Sequence, residues 1–321
     1  MKNLGLYTMI GLLTLCGICS LSACTTPSDK PIIQAPQQQS DSMASNAYKI
    51  SYQLDDPNQV IKLPGRLEEI SGLSFSADNN YLLAIQDEDG KVFWIDKKSG
   101  EVTKELKFWK DGDYEGVEFT PQGIFVVKST GTLYQIKMNG TDVPDVTKYN
   151  TLLGSTNDVE GLAYDSQKKE LLLACKAAAG EGEEFAMTKA IYRFDLKKME
   201  LDIRPKYIIK LDDVNNYLKT DPLIRKLEKL NAFFAPGEST FGFSPSAIAI
   251  HPKTREMYIL SSVGKILMIL DRDGTIKHIE KLKKSIHEQP EGICFDKNGH
   301  LFISNEGKGG KGTIYRFNFL P

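Results

Sequence analysis

A short apolar strand introduced by Gly recurs along this chain at a near-constant step, and no other feature limits the fold as tightly. The segments EISGLSF, DYEGVEF, DVEGLAY and QPEGICF carry Gly72, Gly116, Gly161 and Gly292, and FSPSAIAI puts Ala247 in the same place. The steps between successive starts are 44, 45, 86 and 45 residues. After each start come a second apolar run (YLLAIQD, GIFVVKS, LLLACKA, EMYILSS, HLFISNE) and a third, such as GTLYQI, KAIYRF or GTIYRF. Alternating β-branched and aromatic residues between Gly, Asp and Asn turns are strand and hairpin signals. A weaker fourth run, as in KELKF or KHIEKL, completes a four-stranded unit.

One such unit cannot bury its own faces, whereas units set radially pack sheet against sheet around a channel. The expected fold is therefore all-β, a β-propeller of five four-stranded blades. The step of 86 leaves room for a sixth blade between Lys197 and Phe243. Against that, Leu223, Ile224, Leu227, Leu230 and Phe234 recur at helical spacing, which predicts a helical insertion near residues 211–235. Ring closure needs the chain ends to share a sheet. The last copy stops at Phe319 after three strands, and the alternating segment YKISYQLDDPNQVIKL, Tyr48–Leu63, is expected to supply the fourth.

Ahead of the repeats, Lys2 precedes a nearly uncharged run from Leu4 to Ala23, the pattern of a signal peptide. The run ends in Leu21-Ser22-Ala23-Cys24, which resembles the lipobox of bacterial lipoproteins. That resemblance implies cleavage before Cys24, lipidation of its thiol, and an anchor that is effectively permanent. A transmembrane helix is the alternative for such a run. Residues 24–47, rich in Pro, Gln and Ser, read as a flexible tether. The expected organisation is a signal peptide over 1–23, a tether over 24–47 and one propeller over 48–321. Thr25 rather than Asp after the lipidated Cys favours the outer membrane of the cell envelope.

A formal charge of −2 with no basic stripe argues against nucleic acid as a partner. Of five cysteines, only Cys175 and Cys294 would remain within the fold, each in an apolar run where Cys serves as a small hydrophobe. The four His residues follow no metal-ligand spacing, and His251, before Pro252 in a turn, is expected at the surface. Neither HExxH nor G-x-S-x-G occurs. The Gly run in NEGKGGKGT reads as a hairpin loop, because no helix follows it.

The starts DYEGVEF, NDVEGLAY and QPEGICF, with the hairpin ends GTLYQI, KAIYRF and GTIYRF, resemble those of the SdiA-regulated family of bacterial β-propellers, from about Tyr48 to Phe319. The resemblance implies a five-bladed propeller with a bound calcium ion, distantly related to NHL-repeat propellers and to calcium-dependent lactonases and phosphotriesterases. One departure is visible: the fourth start, Ser244-Pro245-Ser246-Ala247, lacks both Glu and Gly.

The residue before each Gly recurs at one depth around the channel: Ser71, Glu115, Glu160, Ser246 and Glu291. Carboxylates gathered on one axis repel, and a hard cation with oxygen ligands compensates them; calcium suits such a loose set better than magnesium. Asp113 and Asp158, two residues earlier on an extended strand, and Glu69 are expected to add oxygens. The alternative is that the Glu side chains brace the blades with no ion. A second group, Gln86-Asp87-Glu88, Lys128, Lys176 and Asn305-Glu306, either faces the same channel end or forms solvated turns. Two functions follow: a monomeric, calcium-binding module that meets an envelope ligand or small molecule, or a calcium-dependent hydrolase of lactones or phosphoesters.

Overall fold

The computed structural model describes residues 48–220, 224–235 and 241–321. The chain separates into two units, Met1–Ser45 and Asn46–Pro321, and everything described lies in the second. The expected signal peptide over 1–23, the expected tether over 24–47 and Cys24 fall outside the described residues.

The second unit is a five-bladed propeller of antiparallel sheets. Blade 1 runs through Ile70–Phe75, Tyr81–Gln86, Lys91–Asp96 and Val102–Lys107, and blade 2 through Tyr114–Thr120, Gly123–Lys128, Leu133–Lys137 and Asp145–Tyr149. Blade 3 comprises Val159–Asp165, Glu170–Cys175 and Thr188–Asp195, and its fourth position is divided. Glu200–Leu201 and Tyr207–Lys210 both pair with Thr188–Asp195, one at each end. Pro205, which has no N–H to give a ladder, lies between the two pieces. Blade 4 comprises Pro245–Ile250, Met257–Ser261, Ile266–Leu270 and Ile276–Lys281.

Blade 5 closes the ring as the alternation anticipates. Pro290–Phe295, Leu301–Asn305 and Thr313–Phe317 come from the C-terminus, and Gln59–Lys62 pairs with the last of these, Val60 opposite Tyr315. The closing strand alternates as a half-covered edge should, with Ile61 at 2% exposure and Val60 at 48%.

No sixth blade intervenes. The long step is taken up by two helices, α1 (Leu211–Thr220) and α2 (Ile224–Phe233), where the helical spacing alone suggests one continuous stretch. Asp221-Pro222 falls between them in sequence, and a residue before Pro is biased away from helical angles. Val214 and Leu218 from α1, with Leu230 and Phe234, are buried against Ile209, Ile266 and Ile279 of blades 3 and 4. The pair thus covers the seam between two blades rather than forming one. Among the described residues no helix is long and apolar enough to cross a membrane.

The glycines that mark the repeat sit where inner strands approach most closely. A Cβ on Gly72 would lie 2.7 Å from Val117 N and 2.9 Å from Gly116 Cα, and one on Gly116 would lie 2.6 Å from Leu162 Cβ. Backbone proximity, not positive φ, is what requires glycine there. Blade-to-blade apolar clusters fill the remaining space, with Phe93, Phe125 and Phe302 fully buried.

Cys175 and Cys294 are both buried free thiols. His251 departs from expectation: it is wholly buried rather than at the surface. Its Nδ1 accepts from the amides of Lys253 and Thr254 at 3.2 and 2.9 Å, so the imidazole stitches its own turn. The ring then fills a nest of Tyr52, Phe295 and Phe319 where the N-terminal segment meets blades 4 and 5. A turn before Pro is solvent-facing only when nothing packs over it, and here Tyr52, 199 residues away in sequence, does.

Candidate functional site at the leading mouth of the channel

The five inner strands begin at one mouth of the channel, here termed the leading mouth, and end at the trailing mouth. At each leading end the pairing with the second strand slips by one residue, between Ile70 and Leu73, Tyr114 and Gly116, Val159 and Gly161, Pro245 and Ala247, and Pro290 and Gly292. Each slip is a β-bulge, which re-aims the extra side chain. In four blades that residue is Glu115, Glu160, Ser246 or Glu291, and in blade 1 the slip spans Ser71 and Gly72. The recurrence of these residues around the axis therefore rests on a bulge and not on plain strand alternation.

The bulge also changes the geometry assumed for the flanking acids. Asp158 has φ +52, so it is not two extended residues from Glu160 on a common face. It nonetheless lies near enough to raise the Glu160 carboxyl. Asp113 is exposed but hydrogen-bonds the side chain of Glu115. Glu69 is exposed too, and it acts on Asp87 and Glu306, on the blade 5 side of blade 1, rather than on Glu115 or Glu160.

Burial dominates the electrostatics of this mouth. It pushes Glu115 up to about 9, with Glu160 and Asp113 adding to the effect. Glu160 is pushed up to about 8 by burial even though Lys176, whose ammonium contacts its Oε1, pulls it down. Burial lowers Lys176, but Glu160 more than offsets this and holds the ammonium above its ordinary value. Glu291 is raised by burial against the charge of Lys176, the hydroxyls of Ser262 and Ser246 and the amide of Gln289. Glu306 rises to about 7 through burial, then Glu291, Asp87 and Glu69.

Part of the second group, Asp87, Lys176, Asn305 and Glu306, is gathered at the same mouth. Lys176 and Glu306 belong to the charge cluster, and Asn305, at 2% exposure, is no solvated turn residue. Lys128 instead lies over the Tyr114 ring at 5.5 Å. Hydrogen bonds between blades hold these ends in place: Tyr114 N donates to Asp87 O at 2.9 Å, and Val159 N to Ser129 O at 2.7 Å. The loop NEGKGGKGT is the hairpin expected, pinned where Gly309 N donates to Glu68 Oε1 at 2.7 Å.

The donor chemistry of the mouth fits a hard cation. All its acceptors are oxygens, Lys176 is the one cation that offsets three raised carboxyls, Glu115, Glu160 and Glu291, and both Asn305 Oδ1 and Nδ2 are buried without a partner, as is Asp87 Oδ1. A buried polar group left unsatisfied costs roughly 1–3 kcal/mol, so these atoms are poised for a ligand. Among the described residues no three His, Cys, Asp or Glu side chains are already gathered at ligating separation. A cation would therefore have to draw Glu115, Glu160 and Glu291 together and take Glu160 from Lys176.

A five-bladed propeller closed by its N-terminal strand, with a carboxylate cluster at one mouth, is the class these features define. The sequence profile of the SdiA-regulated family matches residues 44–178 and 236–309, and the chain belongs to that family. The unmatched stretch between the two segments holds the third strand of blade 3, its divided fourth position and the two helices. No curated protein matches the sequence. Among solved structures, a luciferin-regenerating enzyme is similar at 12% identity and TM-score 0.48, covering 83% of this chain and 96% of its own. A gluconolactonase from Xanthomonas campestris aligns at 13% identity and TM-score 0.46, covering 78% and 72%. A streptogramin B lyase aligns at 14% and 0.43, covering 81% and 97%. At these levels the likenesses carry nothing about activity.

Proposed function

We propose that the chain is an exported lipoprotein, anchored through Cys24 in the outer membrane of the cell envelope, whose propeller is a calcium-dependent binding module. The observation that carries the reading is the leading mouth, where buried Glu160 and half-buried Glu115, both raised by desolvation, stand near a buried Asn305 amide without partners. A divalent cation there would be held by Glu115, Glu160 and Glu291 with Asn305 Oδ1, and would supply positive potential for an oxygen-bearing envelope ligand or small molecule. Lys176, released from Glu160, adds a second positive group at the same rim.

Binding is placed ahead of hydrolysis because no imidazole stands at this mouth. His251 is in its aromatic nest, His287 faces Leu54 O at 3.0 Å, His278 faces Glu280 at 3.0 Å, and Nδ1 of His300 meets Phe319 N.

The test is thermal melting of full-length wild type and Glu160→Gln, each with calcium and with chelator. A ligand confined to the folded state adds about 2.7 kcal/mol at a hundredfold excess over Kd, so calcium is expected to raise wild-type melting clearly and the variant's much less. Wild-type melting indifferent to millimolar calcium would refute the cation and leave the acids as blade braces. Ester or lactone turnover that needs both calcium and Glu160 would replace binding with hydrolysis. For the anchor, Cys24→Ser is expected to move the protein from the membrane fraction to the soluble one. Equal partitioning of the two proteins, or an unmodified Cys24 by mass spectrometry, overturns the lipoprotein assignment.

A further inference from the structure

Two residues after the repeat glycine, the inner strands carry Ser74, Glu118, Ala163, Ala249 and Cys294. All five line one cavity of about 440 Å³ at the trailing mouth, the opposite end of the channel from the acids above. Four of the five are small, so the ring leaves space on the axis, and one acid reaches into it.

The surroundings of Glu118 define what the space suits. The Ser74 hydroxyl and the Tyr164 backbone amide donate to its carboxylate, which fixes the group but supplies no counter-charge. No Lys, Arg or His among the described residues contacts its carboxyl; two cationic residues line the cavity as well, Lys297, next to the lining Asp296, and Arg255, which one guanidinium nitrogen ties to Asp165 while its Nε is buried without a partner. Burial outweighs the two donors and pushes Glu118 up to about 8. Phe119, Tyr164 and Phe295 line the same cavity, and each is only partly covered. A carboxylate with no cation in contact, set among aromatic side chains in a cavity of this size, matches the requirements of an organic cation, whose charge is served by the acid and whose body is served by the rings.

We propose that the trailing mouth binds a small organic ammonium ion, with Glu118 as its counter-charge and Phe119, Tyr164 and Phe295 as its apolar wall. The site is separate from the leading mouth and stands whether or not calcium binds there.

Titration calorimetry of the full-length protein with phenethylamine, and with 2-phenylethanol as a neutral compound of similar shape, tests this. Wild type is expected to bind the amine at least about tenfold more tightly than the alcohol, the equivalent of about 1.4 kcal/mol. Glu118→Gln is expected to erase that preference, and Glu160→Gln to keep it. Absence of a preference in wild type, its survival in Glu118→Gln, or its loss in Glu160→Gln would each overturn the assignment, the last by moving the amine to the leading mouth. If Glu118→Gln does not fold, Ala249→Met fills the cavity from another blade. Amine binding is then expected to vanish, and its persistence refutes the site.

Discussion

A chain lacking residues 48–63 is expected to melt about 10 °C or more below the full propeller, or to aggregate. The deletion removes the outer strand of blade 5, and with it the ladder between Gln59–Lys62 and Thr313–Phe317 and the flanking bonds Asn58 N to Arg316 O and Leu63 N to Gly312 O. It also removes the buried side chains of Tyr52, Leu54, Ile61 and Leu63. Each such side chain contributes roughly 1.5–3 kcal/mol, and in a domain of this size a kcal/mol moves melting by roughly 2 °C. Thr313–Phe317 would become an open edge, a template for pairing with other chains. The single-residue form is sharper: Ile61→Asp buries a charge without a partner, whereas Val60→Asp, one residue away and exposed, is expected to be nearly neutral. Scanning calorimetry of the two variants checks it. Equal melting would mean that the ring is closed by something other than this strand.

The second large effect is a loss of stability with rising pH in metal-free protein. Glu115, Glu118, Glu160 and Glu306 have folded values of about 9, 8, 8 and 7, all raised above their ordinary range by burial first. Between the ordinary carboxyl range and those values the folded chain binds more protons than the unfolded one, so stability falls as pH rises. Three histidines act oppositely: burial lowers His251 to about 4 and lowers His287 and His300, so their contribution is lost as pH falls below about 6.5 and is complete above it. From pH 6.5 to 9 the slope is therefore the carboxyls' own. One proton held by the folded chain and not by the unfolded one costs about 1.4 kcal/mol for each pH unit climbed, and several carboxyls hold theirs for part or all of that window, so at roughly 2 °C per kcal/mol a fall on the order of 10 °C is expected in chelator. Melting that is flat or rising from pH 6.5 to 9 would show the carboxyls to be ionised and compensated already. Calcium, if it binds at this mouth, is expected to flatten the slope and to release protons, read as a buffer-dependent heat.

The five blades and the closing strand are legible in the sequence because both are written as local patterns. A Gly-led strand at a step near 45 and an alternating segment at the N-terminus each report one face to be covered, and only one arrangement covers them all. The helices are legible in the same way, although a 3.6-residue period cannot show that one ends at Thr220 and the next begins at Ile224. The acid cluster is legible as a set of residues, since Glu115, Glu160 and Glu291 precede equivalent glycines. Its geometry is not: the bulges at the strand starts depend on pairing with a second strand, and the φ of Asp158 and the burial of Asn305 depend on neighbouring blades. The burial of His251 is hidden for the same reason, because the rings that cover it come from distant parts of the chain. Glu118 stands in plain view at the position filled by Ser74, Ala163, Ala249 and Cys294, but a lone acid in one repeat reads as a solvated face until the ring closes. Sequence determined which residues recur at each depth of the propeller. Tertiary structure alone decided which of them meet, because a side chain's water, charge and partners in a propeller come from the blades beside it.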